Sequence, residues 1–154
     1  MRRISALFAT GLVCFLFLFS GEALAQGCSV SAVTVQFGRY NPGGSAALDA
    51  TGVINVKCDV GLAYTVRLDQ GLNSGGGFFP RKMRHLSGAD TIDYNLYRNS
   101  FLTEVWGDGT NSTFVRPGVG TGATEQLIFY ARVPGGQSVA PGPYSDAVSV
   151  IIEW

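Results

Sequence analysis

The chain contains few side chains able to do acid–base or nucleophilic chemistry. His85 is the only histidine among 154 residues, and it follows the basic residues Arg81, Lys82 and Arg84. A histidine base needs a nucleophile and an orienting partner, and no Ser-His-Asp or Cys-His set can be assembled around this one. We therefore interpret His85 as a surface residue beside a strand and predict no catalytic site.

One stretch resembles a calcium site and one pair of carboxylates stands close together in sequence, but neither predicts a functional site. Residues 108–111 (Asp-Gly-Thr-Asn) begin like a calcium loop, but the later carboxylates and the closing glutamate do not follow. Asp90 and Asp93 fall at the entrance of a predicted hairpin, where turn chemistry accounts for them. We predict no metal ion and no cofactor.

The first 25 residues have the pattern of a secretory signal. Arg2 and Arg3 precede an apolar run over residues 4–20, and residues 23–25 (Ala-Leu-Ala) form a small-x-small cleavage site. The run is short for a membrane span and lacks a basic stop-transfer flank. We therefore expect cleavage, secretion and no stable membrane insertion afterwards, with residues 26–154 as the single mature domain.

Two cysteines remain after the predicted cleavage, because Cys14 lies in the signal. A pair of cysteines in an exported domain predicts a disulfide between Cys28 and Cys58. Residues 24–28 also loosely resemble a lipobox that would make Cys28 a lipidated N-terminus. In that alternative the leucine is one place too far upstream and Cys58 loses its partner.

The charge balance argues against one class of partner. Eleven basic and eleven acidic residues give a formal net charge of +0, and the basic residues form no long run. We therefore expect no nucleic acid partner.

Short stretches of alternating apolar and polar residues, separated by Gly- and Pro-rich turns, predict strands along the mature chain. The predicted strands are residues 29–37, 52–58, 63–68, 81–86, 91–98, 101–106, 127–133 and 144–154. Residues 107–122 are predicted to be mainly loop because they are rich in glycine and polar residues. The pattern predicts an all-β, immunoglobulin-like antiparallel sandwich of about seven strands.

The last predicted strand has one apolar face, which Asp146 alone interrupts. Its apolar members are Tyr144, Val148, Val150, Ile152 and Trp154. Because the given sequence ends with this strand, we expect its free side to be covered from elsewhere in the fold or by another molecule.

Six segments, taken in order and spacing, match the pattern of a known family. They are residues 37–40 (Phe-Gly-Arg-Tyr), the strand ending at Cys58, Arg84, residues 94–97 (Tyr-Asn-Leu-Tyr), residues 106–109 (Trp-Gly-Asp-Gly) and residues 142–146 (Gly-Pro-Tyr-Ser-Asp). Together they resemble the spore coat protein U domain family, the fold of subunits in archaic chaperone-usher pili. The resemblance extends over nearly the whole mature chain.

This resemblance implies a sandwich that lacks its final strand. In such pili a periplasmic chaperone lends a strand to the subunit, an outer-membrane usher exchanges it, and the N-terminal extension of a neighbouring subunit then fills the groove. The resemblance thus implies these three kinds of partner, passage through the periplasm to the cell surface or an extracellular fibre, and a role in adhesion or biofilm formation.

The terminal strand suits this scheme, because an edge with inward apolar side chains can be paired by an added strand. We place a strand-acceptor groove along Val148, Val150 and Ile152, with Val33 and Val35 of the first strand as the opposite wall. Burying a matching set of donor side chains there would contribute roughly 6 to 12 kcal/mol before ordering costs.

Two other functions stay open. Polymerising pilus subunits carry a donor segment before the first cysteine, whereas cleavage after Ala25 would leave only Gln26 and Gly27 there. This departure favours a stand-alone secreted coat or matrix protein. A carbohydrate-binding adhesin would instead use aromatic residues as a sugar platform, although their placement on strands favours core packing. The residues concerned are Tyr94, Tyr97 and Trp106.

Overall fold

The computed structural model describes residues 27–32 and 34–154. These residues form nine strands and no helix. The strands are β1 (Cys28–Ala32), β2 (Leu48–Cys58), β3 (Ala63–Leu68), β4 (Arg81–His85), β5 (Thr91–Tyr97), β6 (Arg116–Val119), β7 (Thr124–Val133), β8 (Tyr144–Ser145) and β9 (Val150–Glu153). The predicted signal and Val33 lie outside the described residues. Among the residues that the structure describes, no helix is long and apolar enough to cross a membrane.

The strands form two antiparallel sheets that pack face to face. One sheet has six strands in the order β1-β2-β7-β5-β4-β8, and the other has three in the order β6-β3-β9. The all-β, immunoglobulin-like sandwich predicted from the sequence is confirmed. Nine strands form instead of about seven because the terminal strand divides in two and a predicted loop contains a strand.

The core follows the period-two alternation of four strands. Alternate side chains of β2, β3, β5 and β7 point inward, and thirteen of them are each at most 7% exposed. These side chains are Ile54, Val56, Cys58, Tyr64, Val66, Leu68, Ile92, Tyr94, Leu96, Leu127, Phe129, Ala131 and Val133.

One strand was missed and another begins earlier than predicted, because glycine hides a strand from the alternation pattern. β6 lies inside the predicted loop of residues 107–122; its Gly118 sits so close to Tyr64 that a Cβ would lie 2.3 Å from the ring. β2 begins at Leu48 rather than at residue 52, since Gly52 lies in the same way beneath Phe129. In both cases a buried aromatic ring takes the place of the missing side chain.

Two other predictions need correction. The first strand ends at Ala32, and residues 34–40 belong to no strand. Residues 101–106 form only isolated bridges, because Leu102 has a φ of 57° and the chain turns there. Trp106 follows this turn with no exposed surface, and its indole N–H donates to the carbonyl of Val66 at 3.1 Å.

The predicted disulfide is confirmed. Cys28 and Cys58 face each other in the β1–β2 register and are covalently linked. The bond therefore fixes β1 to the end of β2 at one end of the sandwich.

Arg81 is a fully buried cation at the centre of the fold. Its Nη2 donates to the carbonyls of Asp69 (2.6 Å) and Trp106 (2.7 Å). Its Nε donates to the same Asp69 carbonyl (3.0 Å), and its Nη1 donates to Oδ1 of Asn95 (2.8 Å). The guanidinium also lies 5.1 Å from the ring centroid of Phe78. One side chain thus joins β4, β5 and the segments that follow β3 and precede β6.

Arg81→Lys should destabilise the chain by about 3 kcal/mol or more, because an ammonium group cannot reproduce this planar set of hydrogen bonds and leaves buried carbonyls unpaired. The measurement is urea unfolding of the disulfide-bonded chain. Arg84→Lys on the exposed side of the same strand is the matched control and should change stability by less than about 0.5 kcal/mol. Equal changes for both variants would contradict this role for Arg81.

Candidate functional site

The two sheets are joined along one side of the sandwich. Residues 105–107 bridge them, since Trp106 N–H donates to the carbonyl of Leu96 on β5 (2.9 Å) and Leu68 N–H on β3 donates to the carbonyl of Gly107 (3.1 Å). This side leaves no gap for another strand between β5 and β3.

The other side of the sandwich is open. β1 and β9 are edge strands of different sheets that approach within 8 Å without pairing. Beyond them a gap, here called the groove, separates residues 34–40 from residues 139–150. It contains two adjoining cavities of about 480 and 630 Å³. The first has a floor of Ile54, Leu68, Leu96 and Phe129, and the second has a floor of Leu48, Ile92 and Val133.

Three of the five predicted groove residues meet in the first cavity. Val35 lines one side, and Val148 and Val150 line the other. Ile152 lies further along β9, opposite Val66 of β3, and is not part of this lining. Val33 lies outside the described residues.

The backbone on one wall of the groove is unpaired. Residues 34–37 make no hydrogen bond to any other described residue, although their side chains alternate between exposed and half-buried as in a strand. Val35 and Phe37 point inward, and Phe37 packs edge-on against Tyr94 with ring centroids 6.0 Å apart. This wall is extended but has no neighbouring strand.

The opposite wall has a free backbone edge as well. Asp69 N–H donates to the carbonyl of Ser149 at 3.1 Å, and antiparallel ladders alternate bonded and non-bonded pairs. The N–H and C=O groups of Val150 and Ile152 therefore point away from β3 and towards the groove. The backbone of Val148 likewise has no partner among the residues that the structure describes.

The terminal segment, predicted as one strand over residues 144–154, changes sheets instead. Tyr144 pairs with His85 of β4, whereas Val150 pairs with Leu68 of β3. Alternate side chains from Tyr144 to Ile152 are nevertheless half-buried, so the predicted inward face is continuous across the change of sheet. Trp154, which was predicted to belong to that face, is 59% exposed.

Asp146 anchors the point where the chain leaves the first sheet. Its Oδ2 accepts from the hydroxyl of Tyr94 (2.7 Å), and its Oδ1 accepts from Leu72 N–H (3.0 Å) and from Nδ2 of Asn73 (2.8 Å). Burial, followed by the hydrogen bond to this carboxylate, raises the pKa of Tyr94. In the sequence, Asp146 appeared as an interruption of an apolar face and as part of a segment of the family resemblance, without a structural role.

The loop of residues 69–73 supports this wall from behind. The Asp69 carboxylate accepts from Ser149 N–H and from Gly71 N–H, each at 2.9 Å, and Leu72 N–H also reaches the carbonyl of Ala147 at 3.1 Å. Arg81 holds the carbonyl of the same Asp69. The loop occupies the rear edge of the wall and leaves the front edge to the groove.

The sequence analysis did not identify Arg81 as the arginine that supports the groove wall through Asp69. Arg84, part of the family resemblance, is exposed, whereas Arg81 is buried on the inward face of β4. A signal was available, since Arg81 lies two residues from Met83, which faces the core. Because arginine is rarely buried, the sequence analysis instead grouped Arg81 with Lys82 and Arg84 as basic residues near His85.

The residues considered for chemistry are engaged in local structure. Nδ1 of His85 accepts from Ser87 N–H (3.0 Å) and Nε2 lies 3.1 Å from the carbonyl of Pro141, so both ring nitrogens have backbone partners. Asp108 accepts from the N–H and hydroxyl of Thr110 within its own turn. The described residues contain no group of three side chains able to hold a metal ion. Tyr94 and Trp106 are buried and offer no face to a sugar.

Asp69 gives the groove wall a pH dependence. Burial raises its pKa, but hydrogen bonds from Ser149 and Gly71 and the charge of Arg81 outweigh burial, so the pKa lies below the usual 3.8.

The contribution of Asp69 to stability should be complete above pH 3.8 and be lost as pH falls through the lower pKa of the folded state. In urea unfolding at a series of pH values, the stability difference between the native chain and Asp69→Asn should be constant above about pH 5 and shrink below about pH 4. A difference that does not change with pH would refute this assignment.

Comparison with known proteins finds a family model and solved structures that are similar to this chain. The Spore Coat Protein U domain matches residues 14–151. No curated protein matches the chain. The crystal structure of the CsuC–CsuE chaperone–tip adhesion subunit pre-assembly complex, from archaic chaperone-usher Csu pili of Acinetobacter baumannii, is similar with 21% identity and a TM-score of 0.64. The E. coli Hda pilus minor tip subunit HdaB is similar with 19% identity and a TM-score of 0.43.

The comparisons differ in extent. The CsuC–CsuE match covers 84% of this chain but only 40% of that chain, and the HdaB match covers 80% and 79%. At 21% identity the CsuC–CsuE structure shows a shared fold. The family match covers most of the sequence and confirms the resemblance found in its motifs. The chain belongs to the Spore Coat Protein U domain family.

Proposed function

We propose that this protein is a non-enzymatic structural subunit of a secreted surface pilus or coat, assembled by donor-strand complementation. The observation that carries the proposal is the groove with an unpaired backbone edge on each wall. One added strand can satisfy both edges at once, which a small ligand cannot do.

The directions of the two walls define how a strand would fit. The chain leads away from the disulfide through β1 into residues 34–40, whereas β9 ends beside Thr65, close to the disulfide end of the sandwich. The walls are therefore antiparallel to each other. An inserted strand runs antiparallel to one wall and parallel to the other, and its alternate side chains enter the cavities.

The groove offers apolar contacts as well as hydrogen bonds. Val35, Val148 and Val150 are half-buried around a floor of fully buried core residues. Covering them with about four apolar donor side chains would contribute roughly 6 to 12 kcal/mol before ordering costs. Backbone hydrogen bonds to the two unpaired edges would add to this gain and help to offset the cost of ordering the inserted strand.

Three kinds of partner follow from this proposal. A periplasmic chaperone would supply the first strand, an outer-membrane usher would mediate its exchange, and a neighbouring pilus subunit would supply the final strand. A chaperone partner is supported by the fold shared with the CsuC–CsuE structure, which is a chaperone–tip adhesion subunit pre-assembly complex. The predicted signal supports export through the periplasm to the cell surface or an extracellular fibre, where we propose a role in adhesion or biofilm formation.

Val150→Asp should prevent capture of a strand, because a carboxylate would replace an apolar contact inside the groove. Ile151→Asp is the matched control, since Ile151 is the next residue of β9, is 43% exposed and points away from the groove. We expect co-expression with the candidate chaperone to give a one-to-one complex for the native chain and for Ile151→Asp, but not for Val150→Asp. The measurement is co-purification from the periplasm followed by determination of the complex mass.

Two results would reject the proposal. Equal recovery of the complex for both variants would mean that the groove is not the acceptor. A native chain that is monomeric, soluble and equally abundant without any chaperone would instead favour the stand-alone secreted coat or matrix protein.

A further inference from the structure

The inward face of the terminal segment carries one charged side chain in an otherwise apolar series. Tyr144, Asp146, Val148 and Val150 are successive inward residues, and all four line the first cavity. Tyr144 also borders the second cavity. Asp146 therefore stands between apolar contacts on both sides, in the position where an inserted strand would pass.

The carboxylate of Asp146 is held in place but not enclosed. It accepts three hydrogen bonds, from Tyr94, Leu72 and Asn73. A carboxylate has about four lone-pair positions, and Asp146 is only half-buried, so water can complete its hydration in the open groove. A strand entering the groove displaces that water.

The consequence depends on which donor side chain faces Asp146. An apolar side chain would remove water from the carboxylate without replacing its hydrogen bond, which opposes binding. A small side chain that donates a hydrogen bond would replace the water. Opposite Val148 and Val150 an apolar donor side chain is preferred, because it buries apolar area against the valine.

We propose that Asp146 sets the register of the inserted strand. The strand that fits this groove has apolar residues at alternate positions, except for one inward position that carries a small hydrogen-bond donor such as threonine or serine. If the inserted strand shifted by two residues, an apolar side chain would face Asp146 and the threonine or serine hydroxyl would face a valine. This inference rests on the proposed function, because it concerns the strand that the groove accepts.

A threonine scan tests the proposal on the unaltered chain. Peptides of about eleven residues carry valine at every inward position, and each inward valine in turn is replaced by the isosteric threonine. Affinity for the disulfide-bonded chain is measured by calorimetry and by the shift in unfolding temperature. We expect threonine to strengthen binding by about tenfold at a single position and to weaken it at the others.

Two variants show whether the preference comes from Asp146. Asp146→Asn removes the charge and one acceptor oxygen, and should reduce the preference for threonine at that position to less than about threefold. Glu153→Gln, on the outward face of the same segment, should leave the preference unchanged. A merely structural effect of Asp146→Asn would weaken all peptides equally and would not change their order.

The outcomes separate the two proposals. If all peptides bind and valine is preferred at every position, or if Asp146→Asn keeps the single threonine preference, the register proposal is wrong and the acceptor groove stands. If neither the all-valine peptide nor any threonine-substituted peptide binds, the acceptor groove and the register proposal both fail. The scan on the native chain tests the single threonine preference even if Asp146→Asn cannot be purified.

Discussion

The hydrogen bonds of the buried Arg81 guanidinium fix the relative positions of four parts of the chain. A buried cation without a directly bonded carboxylate is costly, and here backbone carbonyls and one amide oxygen offset that cost. The bonds are directional, so the carbonyls of Asp69 and Trp106 can occupy only one arrangement around the planar group. The closed side of the sandwich, which contains Trp106, and the loop behind the groove, which begins at Asp69, are thereby set by the same side chain.

From Asp69 the constraint passes to the groove. The carbonyl of this residue binds Arg81, while its N–H and carboxylate bind Ser149 in the terminal segment. One edge of that segment is thus fully occupied, and the alternation of an antiparallel ladder turns the backbone groups of the neighbouring valines the other way. The backbone edge that faces the groove is therefore free because the hydrogen bonds to β3 and Asp69 use the alternate residues of the terminal segment.

The sequence was sufficient for the parts of the fold that depend on alternation. The inward residues of four strands follow from period-two patterns. The disulfide was expected from the two cysteines left in an exported domain, and the groove that Val35, Val148 and Val150 line was expected from the family resemblance together with the apolar face of the terminal strand. Alternation has the same period in either sheet, however, so it could not show that the terminal segment changes sheets at Asp146. It also failed where Gly118 lies under the ring of Tyr64, because that contact joins residues distant in sequence. Arg81 does fit the alternation with Met83, but an inward arginine was not expected because buried arginine is rare.

An open groove of this kind has a cost for the isolated chain. Unpaired strand edges with inward apolar side chains are sites of uncontrolled pairing, and soluble proteins usually cover or interrupt them. Here the terminal wall is held from behind, so it cannot move across to pair with residues 34–37 without breaking the Asp69 and Asp146 hydrogen bonds. The same bonds that stabilise the terminal segment therefore keep it away from the opposite wall. Under the proposed function, an inserted strand would gain both the hydrogen bonds and the apolar contacts that these walls leave unmade. If Asp146 sets the register as proposed, its charge would limit which strand obtains that gain, because a polar donor side chain at that position would replace the water that an apolar side chain only displaces.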